Sequence, residues 1–166
     1  MRRVLTIGIL IIVSFLIQYS LFSYHNAASY SPNLLLILTM SFGIMRGRKE
    51  GMLTGFACGF LCDVFFNSML GPYMLLYMLI GYTNGFFHKN YLMEDLLLPV
   101  AIISVDEFIF ELFVYISSFL LKGDTGFKMH LLHVILPQLM LTILATVVLY
   151  RVYLIINRRL KSKDKE

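Results

Sequence analysis

Six membrane-spanning helices packed as one all-α bundle account for this sequence better than any soluble fold, on three observations. Hydrophobic residues make up 58% of the 166 residues and charged ones 14%, against a charged share of roughly 25% in soluble domains. Six apolar runs are separated by short polar breaks. Lysine and arginine gather at alternate breaks, as an even number of crossings requires. The length suits one membrane domain, residues 1–157, followed by a basic tail, 158–166. The net charge of +4 comes from clusters at the ends of apolar runs and gives no sign of nucleic-acid binding.

The first run, Val4 to Phe22, follows Met1-Arg2-Arg3 and has the look of a signal peptide. It exceeds an h-region of roughly 7–15 residues, and Ala27-Ala28-Ser29 is no clean cleavage site, so a retained helix is expected. The second, Leu34 to Met45, opens with Pro32-Asn33 and ends at Arg46-Gly47-Arg48-Lys49-Glu50. The third covers Gly51 to Phe66, and the fourth Tyr73 to Phe87, closing at His88-Lys89. These three middle runs fall short of the roughly 20 residues a bilayer requires. Either the membrane thins around them or part of the region is re-entrant. The fifth run covers Leu96 to Leu121 and the sixth Leu131 to Ile156, with Pro137 expected to kink the sixth. With the N-terminus inside, the outer loops hold only Lys122 and Lys128. Both ends are therefore expected in the cytoplasm. The tail reads as too charged to fold, resting against anionic headgroups.

The sharpest local pattern is Gly51, Gly55 and Gly59 leading into Asp63. Steps of four drift only about 40° each on a helix, so these glycines form one bare ridge, and bare ridges let membrane helices approach closely. Gly81 and Gly85 form a second such pair on the fourth run. Each ridge fits either a partner protein's helix or a neighbour inside the same bundle. Tyr82 and Asn84 read as an interfacial anchor and a cap.

The fifth run carries Asp106, Glu107 and Glu111. Counting about 1.5 Å per residue, Glu107 lies near mid-membrane, while Glu111, Asp63 and His133 fall in the outer half, with Gln138 a turn deeper. Crowded carboxyls out of water hold their protons. Three readings stay open: hydrogen-bonding glue between helices, a contact with a partner's helix, or a proton or cation path lined by Asp63, Glu107, Glu111 and His133. Enzyme readings fail for want of a constellation. No G-x-S-x-G, H-E-x-x-H or phosphate-cradling loop occurs, and His130 and His133 lack a third ligand. No cofactor or metal site is expected, and Cys58 and Cys62, one turn apart on one helix, read as buried free thiols.

With these residues in place, the chain resembles the MreD family of bacterial rod-shape-determining membrane proteins. The features that match are Pro32-Asn33, the Gly51/Gly55/Gly59 ladder, Asp63 with Leu70-Gly71 after it, and Leu79-Ile80-Gly81-Tyr82-Thr83-Asn84-Gly85. They cover roughly residues 30 to 90. The family often carries an acid where this chain has Asn33, which keeps hydrogen bonding and lacks the charge. The resemblance implies a non-catalytic protein of the inner membrane that works in side-wall peptidoglycan synthesis. It implies as partners MreC, the filament MreB, and the synthase pair RodA and PBP2. It also implies a bundle similar to the substrate-binding subunits of energy-coupling-factor vitamin transporters, which leaves a transporter subunit as the alternative function. Short outer loops favour the scaffold. Whether the chain pairs with itself as a homodimer, or holds lipid, is open at this level.

Overall fold

The computed structural model describes residues 2–24, 31–66, 70–90, 97–122 and 135–163. All regular structure among them is helical: α1 (Arg2–Tyr24), α2 (Leu34–Arg46), α3 (Arg48–Phe66), α4 (Pro72–Asn84), a short 3-10 helix (Gly85–Asn90), α5 (Leu97–Lys122) and α6 (Leu136–Lys163). Helix α2 is the axis of the fold and touches each of the other five. Every residue from Leu34 to Met45 is buried, which explains why so short a helix is apolar on all sides. Helices α3 and α4 pack most closely of any pair, and α5 pairs with α6.

Several element ends differ from the sequence reading, each for a local reason. The basic stretch Arg46–Glu50, which closes the second run, is divided between two helices. Gly47, at φ +94° and ψ −176°, alone separates α2 from α3, a backbone conformation that is essentially glycine's own. Helix α3 therefore starts at Arg48, with Glu50 in its first turn, where an acid suits the positive end of the helix dipole. At the other end of the hairpin, α4 stops at Asn84 and tightens into the 3-10 helix. Helix α6 runs on through Lys163, so most of the supposedly unfolded tail is helical. Its Arg158 and Arg159 lie toward the negative end of the dipole, where cations stabilise a helix. Pro137 is the second residue of the described α6, and the residues before Ile135 lie outside the described ones.

Among the described residues one segment, Leu136–Arg159, is both long and apolar enough to cross a membrane by length and composition. Leu5–Leu21 and Leu34–Arg46 are shorter apolar helices. Helix α5 has the length, 26 residues, and departs from that standard through its three carboxyls. Helix α3, with 19 residues, does so through Arg48, Lys49, Glu50 and Asp63.

Candidate functional site

The two glycine ridges face each other. Helices α3 and α4 run antiparallel, with Gly51 against Gly81, Gly55 against Tyr77, and Gly59 against Tyr73 and Met74. A β-carbon built on Gly59 would lie 2.5 Å from Met74 Cα and 2.6 Å from Tyr73 O. One on Gly81 would overlap the Gly51 carbonyl, and one on Gly85 would overlap the backbone of Arg48. Gly43 of α2 joins the seam, since its β-carbon would meet Gly81 O at 2.9 Å. Three helices thus meet backbone to backbone around Gly43, Gly51 and Gly81. The ridge that the sequence offered to a partner's helix is occupied by α4 of the same chain.

Asp63 closes this hairpin at its far end. Its Oδ2 accepts hydrogen bonds from Gly71 N (2.8 Å) and Met74 N (2.9 Å), and Oδ1 from Tyr73 N (3.1 Å). These are orphan donors of the first turn of α4, whose own N-cap is Gly71, at φ +124° and with no side chain to offer. Pro72 follows at the position that proline favours. Asp63 is therefore a cap supplied from a neighbouring helix, buried at 1% exposure. It engages the start of α4 through all three of these bonds.

The second node is the buried start of α2, where four backbone N–H groups need acceptors. Each finds one. Leu34 N donates to Pro32 O, Leu35 N to Gln18 Oε1 of α1 (3.1 Å) and Leu36 N to Asn33 Oδ1 (3.2 Å), the fourth being Asn33 N itself, while Ile37 N makes the first bond within the helix, to Asn33 O. The same Asn33 Oδ1 accepts from Tyr77 Oη of α4 at 2.8 Å, and Asn33 N donates to Thr142 Oγ1 of α6 at 3.2 Å. Thr142 Oγ1 passes its own hydrogen to Glu107 Oε1 of α5 (3.1 Å), which also accepts from Gln138 Nε2 (3.3 Å). One connected polar network thereby ties four other helices, α1, α4, α5 and α6, to the first turn of α2. Pro32 and Asn33 sit at its centre.

The remaining acids have defined surroundings. Asp106 Oδ2 accepts from Asn84 Nδ2 at 2.6 Å. Asn84 is thus a link from α4 to α5, and the C-cap of α4 is Gly85. Glu111 lies beside Gln138, and Tyr73 lies near both Glu111 and Asp63. Tyr82 is 39% exposed and packs edge-on against Phe86. At the end where α2 meets α3, Arg46 donates through Nε to Asn157 Oδ1 (2.7 Å) and through Nη1 to Glu50 Oε2 (3.0 Å). The guanidinium of Arg48 stacks 3.6 Å over the Phe86 ring. His133 lies outside the described residues. Cys58 and Cys62 are buried and unbridged. Among the described residues no three of His, Cys, Asp and Glu form a group that could hold a metal. This chemistry fastens helix ends to one another.

The model of the MreD family, described as rod shape-determining protein MreD, matches residues 1–159. The chain belongs to the MreD family. The match takes in α1, α5 and most of α6, well beyond the motif region around residues 30 to 90. No curated protein and no solved structure matches the chain. As a MreD-family member it is a rod-shape-determining membrane protein.

Sequence reasoning missed Gly43, Gln18, Tyr77 and Thr142. Gly43 stands eight residues before Gly51, so the four-residue spacing continues upstream across the helix break. Gln18 is a lone amide in an apolar run, which in a membrane signals a bonded group. Tyr77 and Thr142 carry no such signal, because either residue is ordinary in a membrane helix.

Proposed function

We propose that this chain is a non-catalytic, six-span scaffold of the bacterial machinery that inserts new side-wall peptidoglycan. In this reading α1 to α6 are the spans, both termini are cytoplasmic, and the bundle is of the kind found in energy-coupling-factor substrate-binding subunits. It binds the transmembrane helix of MreC, and through that contact the RodA and PBP2 pair, with MreB reached indirectly. The match to the MreD family over residues 1–159 is the observation that carries the reading.

The geometry supports a scaffold in two ways. Asp63, Asp106 and Glu107 accept hydrogen bonds from helix ends, an amide and a hydroxyl of neighbouring helices, a use of buried polar groups that rigidifies a bundle. The outer faces of α1 and α6 are apolar and exposed, through Leu5, Ile9 and Ile12 on one and Met140, Leu144 and Val148 on the other, which suits a lipid surround. The test is depletion of the protein with recovery of MreC and the synthase pair from membranes. Rounded cells and MreC lost from the complex are expected. Cells that stay rod-shaped with the complex recovered in full would contradict the reading, and saturable vitamin or ion uptake into proteoliposomes would replace it with transport.

A further inference from the structure

Helix α6 is polar on its buried side and apolar on its open one. Gln138, Thr142, Tyr150 and Asn157 are buried in the bundle. The other side carries Leu141, Leu144, Val148, Arg151, Ile155 and Arg158, all exposed. Their spacing alternates three and four residues throughout, the heptad pattern of a helix that packs along its length against a second one. The residue types fit that packing too, with β-branched Val148 and Ile155 at one heptad position and Leu144 at the other. Arg151 interrupts the apolar seam. It precedes Asn157, which bonds Arg46 at the cytoplasmic end of α2, by a turn and a half, and so lies about 9 Å deeper in the membrane. The basic flank of α6 begins only at Arg158. Among the described residues no acceptor engages the Arg151 guanidinium. The acids of α5 are taken up elsewhere, Asp106 by Asn84 and Glu107 by Gln138 and Thr142.

We infer that this seam docks one spanning helix of another protein, which carries an aspartate or glutamate inside the membrane at the level of Arg151. The inference rests on the scaffold reading above and places the contact on α6, away from the glycine seam that α4 fills. Arg151 selects the occupant. A cation below the headgroups is costly without a partner, and a carboxylate on the facing helix answers it with a charge-assisted pair. Intramembrane carboxyls are rare, so few spanning helices meet the requirement, and the basic flank they share does not. The same charge excludes a second copy of this chain. With both termini cytoplasmic, two α6 helices can lie only parallel. A two-fold pair on this seam would then set Arg151 against Arg151 and Arg158 against Arg158. Lipid covers Leu144 and Val148 as well as a helix does, but meets Arg151 only if the side chain bends down to the headgroups.

A photo-reactive amino acid at Leu144 or Val148, with the adduct from living cells mapped by mass spectrometry, tests the inference. The adduct is expected on a spanning segment of another protein that contains an aspartate or glutamate. The same probe at Phe56, on the exposed face of α3, is expected to leave that segment unlabelled. Arg151→Glu should lower the yield about tenfold, the scale on which an interfacial charge pair turned repulsive acts, and exchanging the mapped acid for arginine should restore it. Arg151→Leu should lower the yield as well, although leucine suits lipid better than arginine does. Arg151 is exposed and bonds nothing among the described residues, so neither variant should shift the unfolding temperature of the purified protein. Failure to capture any protein, an adduct only to a second copy of this chain, a captured segment without an acid, or a yield indifferent to Arg151→Leu overturns the inference. Depletion and MreC recovery judge the scaffold reading separately. That reading stands if Arg151→Leu cells keep their rods and their complex with the cross-links unchanged.

Discussion

Replacing Asp63 removes a cap that a neighbouring helix supplies, and the three bonds it accepts give the size of the effect. Gly71 N, Tyr73 N and Met74 N lie 2.8 to 3.1 Å from its two oxygens, and the residue is buried. Each buried donor left unmet costs about 1–3 kcal/mol. Asp63→Leu strands three of them and should destabilise the fold by about 3–5 kcal/mol, part of the loss being relieved as the first turn of α4 frays. Asp63→Asn keeps one acceptor oxygen. Its amide NH₂ replaces the other and meets a backbone N–H, so a loss of about 1–2 kcal/mol is expected, the usual scale for a damaged cap. Thermal unfolding of the purified protein in one detergent, read by circular dichroism, measures the difference, and in-cell abundance should follow the same order. Equal, complete loss of shape function in both variants with unchanged unfolding temperatures would refute a capping role and point to an essential charge.

Three further substitutions probe the other joints. Asn33→Asp preserves the oxygen that accepts from Leu36 N and Tyr77 Oη, so it should fold and support rod shape, whereas Asn33→Leu should cost about 2–4 kcal/mol in the same unfolding assay. Glu107→Gln retains the oxygen bonded to Gln138 and Thr142 and should change stability by less than about 1 kcal/mol. A Glu107→Gln protein that is folded and abundant yet gives round cells would assign the carboxyl a role beyond glue. Gly47→Ala forces a side chain into the φ +94° conformation between α2 and α3 and should cost about 1–3 kcal/mol, seen as a lower unfolding temperature with no change in the set of co-purifying partners.

What the sequence made legible follows from the physics of each feature. Apolar runs and basic flanks located all six helices because lipid imposes composition directly. Their ends were less legible, since they depend on backbone details: a positive φ at Gly47 splits the basic stretch that closes the second run between two abutting helix ends. Glycine spacing revealed two bare ridges and not their partner, because a ridge has the same sequence whether a foreign helix or α4 lies on it. Asp63 was conspicuous as a carboxylate in an apolar run. Its role was hidden, because the donors it serves belong to a helix that begins eight or more residues later. Asn33 was visible through its motif, but its links to Tyr77 and Thr142 join residues 44 and 109 positions away, and one sequence carries no record of such distances.

The claim on which the account turns is that the α3 and α4 glycines lock this chain to itself. The most direct measurement is Gly55→Ala and Gly59→Ala scored together for folded abundance in membranes and for MreC recovered per molecule of surviving protein. A single methyl on either glycine drives α3 and α4 apart, at about 1–3 kcal/mol for an overpacked contact. Abundance and unfolding temperature should therefore fall while MreC recovered per folded molecule holds steady. Normal abundance with MreC recovery abolished would contradict the claim and return the ridge to a partner.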